Sequence, residues 1–124
     1  MEFFMVTNNP QIAKMYPDLG VYDVEGSVLT LFVCVRDFVH QGYRLLTHPL
    51  SGSLKPGRIP YKTVILTTER AELDLDSLYY IENSIGTYHK TVFESPINWN
   101  DQLLADYAAI DLSHVEAALE SIGR

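Results

Sequence analysis

Thr7-Asn8-Asn9 and the stretch from Thr47 to Lys55 concentrate the side chains of this sequence that could hold a small polar ligand. Thr7, Asn8, Asn9, Thr47, His48, Ser51 and Ser53 offer hydroxyl, amide and imidazole groups. Gly52 permits close backbone approach to a ligand, and Lys55 adds a mobile cation. Such a set suits phosphate, sulfate or a carboxylate. Asn and Ser also build ordinary turns, and for Asn8 and Asn9 that plainer use outweighs ligand binding. The Thr47–Lys55 stretch points to function, because the segment from Phe38 to Thr68 contains no Asp or Glu. That segment carries Arg44, Lys55, Arg58, Lys62, His40 and His48.

His48 has no nucleophile or acidic partner at a recognised catalytic spacing, so packing or hydrogen bonding is its plainer role. It would nevertheless serve as acid/base in an alternative reading. That reading is a small enzyme acting on a phosphorylated or carboxylated metabolite, with Ser51, Ser53 and Lys55 as anion cradle. His40, His89 and His114 are scattered, and Cys34 is the only cysteine, so neither a metal site nor an internal disulfide is expected. Asp74-Leu75-Asp76 reads as acids opening a helix rather than as metal ligands. Ser51–Gly57 fails the order of a P-loop, and neither G-x-S-x-G nor G-x-G-x-x-G occurs. No cofactor is expected.

Positioning these residues falls to alternating strands and helices. Phe3–Val6 reads as a buried strand, with Pro10 opening a short helix that Pro17 and Gly20 stop. Val21–Val24 is a second strand. Val28, Leu31, Phe32, Val35, Phe38 and Val39 recur at helical spacing between an N-cap, Ser27, and a stop, Gly42. Cys34 falls inside that helix and reads as a small buried apolar residue. Tyr43–Thr47 and Lys62–Thr67 are third and fourth strands, joined by a loop with three prolines and no usable period. Leu78, Ile81, Ile85, Tyr88 and Val92 mark a helix capped by Asp74 or Asp76, in which Tyr79, Tyr80 and Tyr88 read as core and rim. Asn98 or Asn100 caps a second, and Ser113-His114-Val115-Glu116 matches the capping box of a third.

This order predicts one α/β domain over residues 1–124. The expected architecture is a small three-layer sandwich: a four-stranded, mostly parallel sheet of order 2-1-3-4, helices on both faces and a helical C-terminus. The direction of the fourth strand stays open, because its connection barely reaches crossover length. In this order strands one and three are neighbours, and their ends bring Thr7–Asn9 and Thr47–Lys55 together.

Composition narrows the classes further. The chain has 124 residues, 47% hydrophobic and 20% charged, which suits one core and argues against disorder. Its net charge of −7 disfavours a general nucleic-acid binder. The charge is unevenly placed, with +1 over residues 1–62 (six basic, five acidic) and −8 over residues 63–124 (three basic, eleven acidic). Gly26 to Val35, the longest uncharged run in the first long helix, is too short to span a bilayer. Met1–Met5 lacks the basic region and cleavage site of a signal peptide, so a cytoplasmic protein without a membrane partner is expected.

Thr7-Asn8-Asn9-Pro10, Val24-Glu25-Gly26-Ser27, Leu46-Thr47-His48-Pro49-Leu50-Ser51-Gly52-Ser53-Leu54-Lys55-Pro56 and Pro60-Tyr61-Lys62 resemble the GrdX family. Its members are small proteins encoded beside selenium-dependent glycine reductase and related Stickland-type reductases of anaerobic bacteria. The resemblance covers nearly the whole chain and is most specific between Leu46 and Lys62. It implies an accessory role in amino-acid reduction, with a reductase component or a second copy of the chain as partner. It brings no catalytic residues. No selenocysteine or C-x-x-C is present, so the reduction itself would fall to other subunits.

Overall fold

The computed structural model describes residues 2–52 and 55–123. Strand β1 (Phe3–Thr7) leads into helix α1 (Pro10–Met15), strand β2 (Val21–Asp23) and helix α2 (Val28–His40). A single 3-10 turn at Pro56–Arg58 precedes strand β3 (Thr63–Thr67), and helices α3 (Leu75–Val92) and α4 (Asp101–Ile122) complete the chain.

Local chemistry sets most of the boundaries. The Asn9 side chain accepts from the Gln11 N–H, and Pro10 occupies the first turn of α1. Ser27 caps α2 through the Thr30 N–H, Asp74 caps α3 through that of Ser77, and Asn100 caps α4 through that of Leu103. The chain leaves α2 at Gly42, whose φ of +102° only glycine adopts without strain. A Cβ there would also meet the Ala71 carbonyl oxygen at 2.2 Å.

The sheet departs from the expected one. It has three strands in the order β2-β1-β3, with β1 parallel to β2 and antiparallel to β3. Residues 43–47 are not a full strand and do not lie beside β1. They run antiparallel along the far side of β3, joined to it by one isolated bridge, Leu45 to Leu66. Leu46 N donates to the Ile65 carbonyl and Thr67 N to the Arg44 carbonyl. Two side-chain hydroxyls replace backbone acceptors in the ladder: Arg44 N donates to Thr67 Oγ1, and Ile65 N donates to Thr47 Oγ1. On the outer edge, facing away from β3, Leu45 N donates to Ser77 Oγ. The proline-rich connection contains no crossover helix, so the chain returns antiparallel onto its own neighbour, and the expected order 2-1-3-4 does not form.

Helices cover both faces. Val6, Val64 and Leu66 meet α2 and α3 through Leu31, Phe32, Val35, Ile81 and Ile85. Met5 and Ile65, facing the other way, meet α1 and α4 through Ile12, Val115 and Leu119. Helix α4 passes without a break through Ser113–Glu116, so the capping box there starts nothing. No Gly or Pro interrupts residues 101–122, and a cap acts only where N–H groups are free. Cys34 is half-buried, with its thiol pushed up by burial and by Asp37. Tyr79 is 67% exposed on the outer side of α3, not in the core, whereas Tyr88 packs against it.

Ser77 is the joint between α3 and the 43–47 segment, since its hydroxyl also donates to Asp74 Oδ2 at 2.6 Å. Substituting Ser77→Ala orphans the Leu45 N–H, and urea unfolding is expected to show a loss of about 1–3 kcal/mol. Hydrogen exchange at Leu45 should accelerate in the same variant. An unchanged unfolding midpoint and Leu45 exchange rate would contradict the assignment.

Candidate functional site

The end of β1 and the start of β3 bring two threonines face to face. Thr7 and Thr63 are register partners whose hydroxyls lie 2.7 Å apart on the α4 side of the sheet. Thr63 Oγ1 donates to Asp111 Oδ2 at 2.7 Å, so its oxygen accepts the Thr7 proton. Thr7 in turn accepts from the Asn9 N–H at 3.0 Å. Asn9 closes the ring, donating Nδ2 to Asp111 Oδ2 at 2.9 Å and to the Ala108 carbonyl at 3.0 Å. Thr7 and Asn9 are fully buried, and Asp111 is 4% exposed.

Lys62 sits beside this ring and is 5% exposed. Its Nζ donates to the Ser51 carbonyl and hydroxyl, which ties the 47–52 loop to the start of β3. Burial holds the Lys62 ammonium below its ordinary value of 10.5, against the opposing pull of the Asp111 carboxylate.

Between Leu46–Gly52 and the C-terminal turns of α4 opens a cleft of about 380 Å³. Thr47, His48, Ser51, His114 and Ser121 form its polar side, and Leu46, Ala117, Ala118 and Ile122 its apolar wall. A smaller gap reaching Lys62 and Thr63 shares Thr47, Ser51 and His114 with it. Gly52 is at φ +95°, and a Cβ on it would meet the His114 ring at 2.5 Å, so glycine is required there twice over. Other clefts of similar volume are less suited to an anion. One sets Arg44 beside Glu2 and Glu69. Another places Arg44 among Glu69, Glu72 and Asp74. In a third, Arg58 is already held by Glu94 and the Ser95 carbonyl.

Of the residues expected to bind, Thr47, His48, Ser51 and Gly52 line the cleft. Thr7 and Asn9 lie in the buried ring behind it. Asn8 brackets the fold, donating to the Gly26 and Pro60 carbonyls and accepting from the Lys62 N–H. Strand β3 stands between these residues and the 47–52 loop, so the two stretches do not meet directly. Lys55 points away, its Nζ 2.8 Å from Glu94, and holds that carboxyl below the usual range. Ser53 lies outside the described residues. His48 Nδ1 accepts from the Leu50 N–H, which leaves the ring proton on Nε2 and makes the neutral imidazole a donor rather than a base. Among the described residues, no group of three or more His, Cys, Asp or Glu side chains could hold a metal ion, and no helix is long and apolar enough to cross a membrane.

Lys62, Thr63, Asp111, His114 and Ser121 were not expected as a group. Asp111 does leave a trace, because it interrupts the buried stripe Ala108, Asp111, Val115, Leu119 with a charge. A carboxylate at a core position asks for buried donors.

The family model for the GrdX-like protein matches residues 4–120, almost the whole chain. The chain belongs to the GrdX-like family. That match spans the buried ring, Lys62 and the cleft except for Ser121 and Ile122. No curated protein and no solved structure matches the chain of this family member.

The buried lysine has a pH signature. Its folded-state pKa lies below the unfolded value, so the unfolded chain binds more protons between the two and stability rises with pH there. The cost of burying the ammonium is fully present below the folded pKa and is lifted as pH climbs towards 10.5. Relative to Lys62→Met, the wild-type chain should gain urea stability between neutral and alkaline pH. A constant gap would place the ammonium in water, and one that moves the other way would mean a stabilising charge partner; either contradicts the assignment.

Proposed function

We propose that the chain is a non-catalytic accessory protein of glycine-type anaerobic amino-acid reduction, and that its cleft binds a small anion. The reductase association rests on membership of the GrdX-like family. The anion reading rests above all on Lys62, a buried cation at the inner end of a cleft edge that carries no Asp or Glu. Ser51, Ser121 and the two imidazoles add hydrogen-bond donors, and a charge-assisted bond contributes roughly 1.5–3 kcal/mol. Asp111, the carboxylate whose charge acts on Lys62, is engaged through Oδ2 by Thr63 and Asn9. A binding role also agrees with the donor state of His48.

A partner fits the outer surface of α3 and its end, where Leu75, Tyr79 and Phe93 are exposed among acidic residues. A homodimer or a complex with a reductase component is the expected assembly.

Titration with phosphate, sulfate and acetate should give saturable amide shifts at Ser51, His114 and Ser121, with a matching rise in melting temperature. His114→Ala should weaken binding about tenfold, the loss of one charge-assisted bond. Lys55→Ala should leave it unchanged, because Lys55 is engaged by Glu94. No saturable shift with any of the three anions at millimolar concentration would remove the anion site.

A further inference from the structure

We propose, building on the anion reading of the cleft, that its ligand is a short α-oxo acid whose carbonyl carbon condenses with Lys62 Nζ. The carboxylate would take the donors of the outer cleft. The carbonyl would reach the lysine where Thr47, Ser51 and His114 border both that cleft and a gap of about 10 Å³, which widens only as Ser51 is displaced.

Three observations meet at this amine. Lys62 is almost wholly buried, an unusual place for an unpaired lysine, and no salt bridge joins it to Asp111. Its described partners are the neutral carbonyl and hydroxyl of Ser51, which the ligand must displace to reach the amine. Burial also favours the uncharged amine, the nucleophilic form. Asp111 opposes this from the α4 side, and His114 is the other titratable group beside the gap.

The step balances without oxidant or reductant. The amine lone pair attacks the carbonyl carbon and a C–N bond forms. The nitrogen gives up both its hydrogens to the former carbonyl oxygen, which leaves as water as the C=N bond closes. The apolar wall of Leu46, Ala118 and Ile122 accommodates the short alkyl part.

The test treats the full chain with pyruvate and sodium cyanoborohydride, which reduces an imine to a stable secondary amine, and maps the adduct by peptide mass spectrometry. Lys62 should be labelled at least about tenfold faster than Lys14, Lys55 or Lys90, as expected of a desolvated amine. Labelling should saturate with pyruvate and slow in the presence of lactate, the same acid without the carbonyl. Even labelling of all four lysines, or none at Lys62, would overturn the proposal. Amide shifts with lactate separate the two readings. Lactate binding without a Lys62 adduct removes the condensation and leaves the anion site, whereas neither binding nor adduct removes both.

Discussion

The Asp111 carboxylate, buried where α4 crosses the ends of β1 and β3, receives Thr63 Oγ1 and Asn9 Nδ2 on one oxygen. Through them it is linked to Thr7 and to the start of α1. The apolar stripe of α4 is thin, with Ala108, Val115 and Leu119 its buried apolar members. Small side chains of this kind pack almost as well when the helix slides along the sheet, so packing alone leaves the register loose. A buried charge does not slide, because moving it away from its donors costs several kcal/mol of lost solvation. The carboxylate thus sets which turn of α4 faces β3, and with it where His114 and Ser121 stand.

The same constraint shapes the electrostatics of the cleft. Asp111 balances part of the Lys62 charge without forming an ion pair with it, so the ammonium keeps neutral partners on Ser51. The 47–52 loop is therefore held by a cation at Ser51 as well as by the apolar packing of Pro49 and Leu50. A ligand that competes for that cation would loosen the loop as it binds, and would gain the interaction Ser51 gives up.

Much of the fold was legible in the sequence because its signals are local. Ser27 and Gly42 bracket α2 as read, Pro10 opens α1, and the last helix stops at Gly123. Helices on both faces also follow from the alternation of elements. Strand order was not legible, because the apolar run at 43–47 says that it can lie in a sheet but not against which neighbour. Its pairing with β3 uses the hydroxyls of Thr67 and Thr47, and its outer edge is held by Ser77, from a helix more than thirty residues further on. The capping box at Ser113 misled because its context, an uninterrupted helix, makes the motif inert.

The site divides along the same line. Thr47, His48, Ser51 and Gly52 are contiguous, and their side of the cleft could be read directly. The opposite side comes from α4, and Thr63 and Asp111 are 48 positions apart. Lys55 and Lys62 look alike as loop-edge cations in an acid-free stretch. Only the fold shows that one pairs with Glu94 in solvent while the other is buried under Ser51.

The central claim, that a desolvated lysine closes the inner end of an anion cleft, is tested most directly by titrating the Lys62 side chain itself. With the lysines labelled at Cε with carbon-13, the Lys62 resonance should titrate with a midpoint below 10.5. Saturating acetate should move that midpoint upward, since a bound anion favours the charged form. A midpoint at or above 10.5 that ignores acetate would contradict the account.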